Sequence, residues 1–164
     1  MSVIRSTRTC IYLTVTAGIA LLVLQTYTPD SAFAQNSEYR FVENWAQLPD
    51  GFTWGQVIAV EVDPKGNLIT FQRCSSNTCV GQSAPPLLKF SPSGEHLMSW
   101  GEGLIVWPHG LDIDAVGNIW VTDGRHEGEM GEVIHKFSSD GELLMTIGTP
   151  GVSGSGAYTF NGIC

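Results

Sequence analysis

The sequence predicts an all-β fold, a β-propeller of which about two four-stranded blades are present. The main observation is a pattern of four short runs of β-type residues that occurs twice, about 50 residues apart. Glycine-bearing turns such as DPKGN and SSDGE separate the runs, and no helical periodicity competes with them after the N-terminal segment. Because propeller rings usually contain about four to eight blades, two blades form an incomplete ring.

The two copies align through residues that they share. The predicted strands cover residues 57–62, 68–72, 87–90 and 96–100 in the first copy, and 111–113, 119–122, 133–137 and 143–147 in the second. The shared residues lie at turns and strand ends and form seven pairs: Asp63 and Asp114, Gly66 and Gly117, Asn67 and Asn118, Lys89 and Lys136, Phe90 and Phe137, Gly94 and Gly141, and Gly101 and Gly148. We expect shared residues to serve the blade itself, whereas residues peculiar to one copy are candidates for chemistry.

The N-terminus has the pattern of a secretory signal peptide over residues 1–34. Arg5 and Arg8 precede an apolar run at 11–24, and an A-x-A site covers residues 32–34. The run is shorter than a membrane span of about 20 residues, although a retained anchor is the alternative. We therefore expect a secreted or periplasmic protein with a lead-in segment at 35–53, blades at 54–103 and 104–149, and a truncated loop at 150–164.

The net charge limits the classes of binding partner, and the cysteines indicate a disulfide. The chain carries a formal net charge of −8, which argues against binding to nucleic acid, and signal cleavage would leave no membrane segment. Cys74 and Cys79 bracket a polar loop, and outside the cytoplasm we expect them to form a disulfide. The alternative, a metal site, lacks a second cysteine pair, and Cys164 is left without a partner.

Two residues depart from the repeated pattern. His109 lies between Pro108 and Gly110 just before an apolar strand, and its counterpart in the first copy is Ile58. A histidine in a loop that opens at the mouth of the channel is a candidate metal ligand, or a loop residue that only bonds a neighbouring carbonyl. Arg73 ends a strand, and its counterpart is Gly124. It is a candidate for binding a carboxylate group, or a solvated arginine at a strand end.

The innermost strands offer a further candidate site. Val60 and Leu111 occupy equivalent positions there, and their apolar side chains favour a role in the core. Their backbone carbonyls are also candidate oxygen ligands for calcium. Asp63 and Asp114 are predicted to accept hydrogen bonds from nearby backbone N–H groups in turns, and Asp123 is a strand-end acid. His126, in the predicted polar loop DGRHEGEMGE near the channel mouth, is a reserve metal candidate.

The segment WPHGLDIDAVGNIWVTD resembles a motif of the peptidyl-α-hydroxyglycine α-amidating lyases, which are secreted six-bladed propellers of the NHL-repeat group. GNLITFQR is similar to that family's segment ending in a functional arginine, and the similarity extends over about residues 54–161. The resemblance implies that His109 is one of three zinc histidines. It also implies that Val60 and Leu111 bind calcium through their carbonyls, and that Arg73 contacts a peptide or small-molecule substrate in the channel.

The resemblance covers the N-terminal part of such a propeller. The family's other zinc histidines, its calcium-binding aspartate and its tyrosine base lie in later blades. The chain is therefore expected to be inactive alone as a zinc-dependent peptidylamidoglycolate lyase, with missing blades or self-association needed to close the ring. Two alternatives remain open: an exported NHL-repeat propeller that is a non-catalytic binding scaffold, and a calcium-dependent propeller similar to lactonases.

Overall fold

A computed structural model of the chain describes residues 39–74 and 77–164, so the predicted signal peptide lies outside the described residues. The chain divides into two units, Met1–Val42 and Glu43–Cys164, and the second contains all of the strands in the described ranges. Residues 39–42 of the first unit are solvent-exposed. Across these ranges, no helix has the length and apolar character needed to cross a membrane.

Eight strands form two four-stranded antiparallel sheets. The first sheet contains β1 (Gln56–Val62), β2 (Leu68–Arg73), β3 (Leu87–Phe90) and β4 (His96–Trp100), and the second contains β5 (Pro108–Ile113), β6 (Ile119–Glu127), β7 (Met130–Phe137) and β8 (Leu143–Ile147). In each sheet the spatial order follows the chain order. This arrangement confirms the all-β prediction of two propeller-type blades, and the two sheets do not close a ring.

Strands β6 and β7 of the second blade are longer than the sequence predicts. The polar stretch around His126, predicted to be a loop, is a β-hairpin in which His126 pairs with Gly131 and Glu127 pairs with Met130. The sequence hides this hairpin because its side chains are exposed and show no apolar alternation. Gly128 supplies a positive φ angle in its turn, and Gly131, which also has a positive φ, lies in β7 opposite His126.

The lead-in segment packs on the first blade without forming a strand of its own. Gln47 makes only an isolated parallel bridge to Glu95. The rings of Trp45 and Trp54 lie 6.2 and 5.9 Å from the buried ring of Phe90. Trp45 of the lead-in and Trp54, at the start of the first blade, therefore pack against the first sheet at Phe90.

The main core lies between the two blades. Its fully buried members come from both sheets and from the segment between them: Ile69, Phe71, Leu87, Ile105, Ile119, Val121 and Phe137. Each such side chain contributes about 1.5–3 kcal/mol when it leaves water. Because each sheet supplies part of the same core, the two blades stabilise each other.

The opposite face of the second blade is open in the described chain. Its positions Trp120, Ile134 and Ile147 correspond to positions of the first blade that pack into the core. Trp120 and Ile134 are only half-buried, and Ile147 is exposed. The repeated pattern thus continues onto a face that the described residues cover only in part, where Cys164 lines a pocket together with Trp120 and Ile134.

The same turn begins the second strand of each blade. Asp63 accepts hydrogen bonds from the backbone N–H groups of Lys65 and Asn67, and Asp114 accepts the equivalent bonds from Val116 and Asn118. These contacts are the ones predicted for turn-forming aspartates.

Each of these aspartates also pairs with the lysine that the repeat shares. Lys89 Nζ lies 3.0 Å from Asp63 and is buried, whereas Lys136 Nζ lies 3.3 Å from Asp114 and is partly exposed. Burial raises the pKa of Asp63, but the hydrogen bonds from Asn67, Lys89 and Lys65 lower it more strongly, to about 2. The side-chain hydrogen bond from Asn118 is the main cause that lowers the pKa of Asp114.

We predict that Asp63→Asn destabilises the protein more than Asp114→Asn, because it leaves a buried ammonium group without its counter-charge. The expected loss for Asp63→Asn is about 3 kcal/mol, measured by urea unfolding of the two variants. Adding Lys89→Met to Asp63→Asn should recover part of the loss. Equal losses for the two aspartate variants would contradict a structural role for this buried pair.

Candidate functional site

The segment that leads into β5 is held by a buried carboxylate. Asp123 accepts hydrogen bonds from the backbone N–H groups of Val106 and Trp107, at 2.8 and 2.6 Å. Its counterpart in the first blade, Gln72, accepts the equivalent bond from Gly55 at 2.6 Å. The end of the second strand in each blade therefore fixes the backbone that leads into the first strand.

Burial determines the charge of Asp123. The residue is fully buried, and desolvation raises its pKa to about 6 despite the two backbone hydrogen bonds, which lower it. The sequence identifies Asp123 only as a strand-end acid, because its burial depends on how the two blades pack.

His109 lies in a β-bulge of β5, not in a loop before the strand as predicted. Pro108 pairs with Asp123 and Leu111 pairs with Val121, so two residues, His109 and Gly110, oppose the single residue Thr122. The N–H of Gly110 donates to the Thr122 hydroxyl at 2.6 Å. The first blade has a register shift at the equivalent place, around Ile58. The bulge therefore belongs to the shared blade pattern, and the two blades differ in the side chain at this position, Ile58 in the first and His109 in the second.

Arg73 lies beside this bulge. Its Nε donates to the carbonyl oxygen of Pro108 at 3.0 Å, and its Nη1 donates to Asn77 Oδ1 at 3.0 Å. Its Cζ lies 3.7 Å from the ring centroid of Trp107, and the ring of His109 lies 5.1 Å from the ring of Trp107. The structure thus brings Arg73 and His109, the two residues that depart from the repeat, to one place in the second unit.

Cys74 and Cys79 form a disulfide directly after Arg73. The loop that it closes is fastened to the second blade, because Cys79 N–H and the Thr78 hydroxyl both donate to the carbonyl oxygen of Val106 at 2.9 Å. The same loop supplies Asn77, the hydrogen-bond partner of Arg73. The disulfide loop therefore helps to place the arginine against the Trp107 ring.

Two residues of this cluster were not identified from the sequence. Trp107 is the central ring, and its buried indole N–H has no partner in the described residues. Arg125 stacks on the same ring, with its Cζ 4.0 Å from the centroid. It follows Gly124, where a Cβ atom would lie only 2.8 Å from the Ile163 carbonyl oxygen. The sequence did contain a signal for Arg125: it is a basic residue in an acidic chain, and it follows directly after the counterpart of Arg73.

The cluster concentrates positive charge. Burial, and then the neighbouring charge of Arg125, lower the pKa of Arg73. Among the described residues, the recorded ion pairs are those of Lys89 and Lys136, and neither arginine pairs with a carboxylate. The arrangement is suited chemically to binding an anionic group.

The described residues do not form a metal site on their own. They contain no group of three or more histidine, cysteine, aspartate or glutamate side chains that could hold a metal ion. His109 brings a single imidazole to the cluster, His126 is exposed on the β6–β7 hairpin, and burial lowers the pKa of His135 to about 4. Zinc needs about four ligands, so His109 could serve only as one of several.

The two candidate calcium ligands lie on the neighbouring strands β1 and β5. The side chain of Val60 is 53% exposed, whereas Leu111 packs against the core. Metal binding by either backbone carbonyl stays a prediction, as do the roles of Arg73 and His109.

We predict that the stability contribution of Asp123 falls as the pH rises. Its pKa is 3.8 when unfolded and about 6 when folded, so the contribution is full below pH 4 and is lost as the pH rises through 6. The loss should be about 2 kcal/mol. It is measured as the unfolding free energy of the wild type minus that of Asp123→Asn, between pH 4 and 7. A pH-independent difference would show that burial does not control this carboxyl group.

No family model matches the chain. Peptidyl-alpha-hydroxyglycine alpha-amidating lyase 2 of Drosophila melanogaster is 35% identical over 98 residues, which cover 50% of this chain and 24% of that protein. NHL repeat-containing protein 3 of Homo sapiens is 31% identical over 121 residues, which cover 71% of this chain and 32% of that protein. Peptidyl-alpha-hydroxyglycine alpha-amidating lyase 1 of Drosophila melanogaster is 27% identical over 143 residues, or 25% of that protein.

The chain therefore spans about a third or less of the length of these relatives. Its two blades follow one repeated strand order. The similarities, together with the two blade-like sheets, support a relationship of the chain to the family of NHL-repeat propellers and peptidyl-α-hydroxyglycine α-amidating lyases.

Proposed function

We propose that the chain contributes two blades to a propeller with the activity of a peptidylamidoglycolate lyase. This reaction splits a peptide ending in α-hydroxyglycine into a peptide amide and glyoxylate. One observation carries the proposal: Arg73 and His109, which depart from the repeat and come from different blades, meet around the ring of Trp107. Residues that only build a blade would follow the repeat.

The proposed role of Arg73 is to bind the carboxylate of the terminal α-hydroxyglycine. Hydrogen bonds to Pro108 and Asn77 hold the guanidinium in place and, within the part of the chain that the structure describes, leave the two hydrogens of Nη2 for a ligand. A guanidinium held in advance binds a carboxylate with less loss of side-chain entropy. In the reaction the bond between the peptide nitrogen and the hydroxylated carbon breaks. The hydroxyl becomes the aldehyde of glyoxylate, and the nitrogen gains a proton.

Zinc and calcium are proposed as cofactors of the complete propeller. His109 would supply one zinc ligand, and the backbone carbonyls of Val60 and Leu111 would contribute oxygen to calcium. Further blades, from the same polypeptide or from another copy, would supply the remaining ligands and cover the open face of the second blade. Without those ligands we expect the 164-residue chain to bind substrate carboxylates but to release no glyoxylate.

A second candidate is a binding scaffold without catalysis. The single imidazole of the cluster favours this candidate, as does the similarity to NHL repeat-containing protein 3 over 71% of the chain. A scaffold would use the same surface without binding zinc. For either function we propose export to a secreted or periplasmic location, which is supported by the signal-like residues 1–34 and by the disulfide of Cys74 and Cys79.

We predict that the chain binds N-benzoylglycine at least about 10-fold more tightly than the uncharged N-benzoylglycinamide, because charge-assisted hydrogen bonds contribute about 1.5–3 kcal/mol. Isothermal titration calorimetry measures both affinities. Arg73→Gln should remove the preference for the carboxylate. Lys65→Gln, which removes the same charge at the opposite end of β2, should retain it. Equal affinity of the wild type for both ligands would refute the carboxylate-binding role.

We also predict that zinc binds at His109 before it binds at the other histidines. Titrating zinc into the chain should shift the imidazole NMR resonances of His109 before those of the other histidines. His109→Ala should lower the zinc content of the purified protein. The matched control His126→Ala removes an exposed histidine from the hairpin and should leave the zinc content unchanged. Equal zinc in the wild type and in His109→Ala would exclude this residue as a ligand and favour the scaffold.

A further inference from the structure

The described part of the second unit gathers uncompensated positive charge at one place. After residue 34 the chain has six basic residues: Arg40, Lys65, Arg73, Lys89, Arg125 and Lys136. Lys89 and Lys136 are paired with aspartates. Two of the others, Arg73 and Arg125, stack on one indole ring and form no ion pair within the described ranges. In a chain with a net charge of −8, this placement is the reverse of what its composition favours.

The neighbouring carboxylate does not neutralise these arginines. Asp123 lies two residues before Arg125, but its two oxygens accept the backbone N–H groups of Val106 and Trp107. Its burial also disfavours the charged form, because the pKa rises to about 6. The buried indole N–H of Trp107 is a donor without a partner in the described residues. Apart from the imidazole of His109, the uncommitted polar groups named around this ring are therefore donors.

Two held positive charges are matched best by two negative groups on one ligand. A single carboxylate would neutralise one guanidinium and leave the other without a counter-charge. Arg73 is fixed by Pro108 and Asn77, whereas Arg125 is held by stacking and is exposed at the end of β6. The two arginines thus differ in how firmly they are held. The fixed guanidinium of Arg73 suits a group that every ligand carries, and the less constrained Arg125 suits a group that varies between ligands.

We infer that Arg125 is a specificity-determining residue that favours peptides with an acidic side chain next to the terminal carboxylate. In this assignment Arg73 binds the terminal carboxylate and Arg125 binds the neighbouring acidic side chain, with the ring of Trp107 holding both guanidinium groups. The inference rests on the proposed function for the identity of the terminal group. It adds a class of peptide substrate that the role of Arg73 alone does not specify.

The test compares two peptides, N-acetyl-Glu-Gly and N-acetyl-Gln-Gly, by isothermal titration calorimetry with the 164-residue chain. The wild type should bind the glutamate peptide about 5-fold or more tightly than the glutamine peptide. Arg125→Gln should bring that ratio close to one, and Arg125→Lys should retain part of it. Because the contact is exposed, the ratio should also fall as salt is raised. Lys65→Gln is the matched control and should keep the full ratio.

The outcomes separate this inference from the proposed function. Arg73→Gln should weaken both peptides and leave the Glu-to-Gln ratio above one. If Arg73→Gln has no effect while Arg125→Gln removes the ratio, Arg125 keeps its assigned role and the carboxylate role of Arg73 fails. Equal affinity of the wild type for both peptides, or an unchanged ratio in Arg125→Gln and Arg125→Lys, would overturn the inference. Unfolding curves of the variants check that each one is folded.

Discussion

The burial of one apolar sheet face against the next is the interaction on which the rest of the structure depends. Ile69 and Phe71 of the first blade and Val121 and Phe137 of the second belong to one core. A four-stranded sheet has no interior, so each blade needs a partner on its apolar face. This packing sets the distance between the strands that carry the functional candidates, and the cluster around Trp107 exists only while the blades stay together.

The cluster is a product of this packing, since its members come from both blades. Arg73 belongs to the first blade, and Trp107, His109 and Arg125 belong to the second. Backbone hydrogen bonds to Asp123 and to the disulfide loop hold the segment between the blades from two sides. Such support from neighbouring groups fixes a side chain more firmly than its own strand does. The polar contacts that stabilise the fold therefore also arrange the candidate site.

Much of the fold could be predicted from the sequence, because alternation and glycine turns are local signals. Comparing the two copies also identified Arg73 and His109 as unusual before any geometry was known. The stacking of Arg125 on Trp107 could not be predicted, because the two residues meet only after β5 and β6 pair. The hairpin around His126 was wrongly predicted to be a loop, since exposed strands carry no apolar pattern.

The bulge in β5 has a wider meaning for repeated architectures. A residue in the regular ladder is constrained by its cross-strand neighbours, but a bulged residue is left out of that pairing. Both blades carry the irregularity, with isoleucine in one and histidine in the other. Each repeat thus offers one position where chemistry can change while the scaffold does not. A ring of near-identical units can in this way acquire different side chains at the bulged positions through single substitutions.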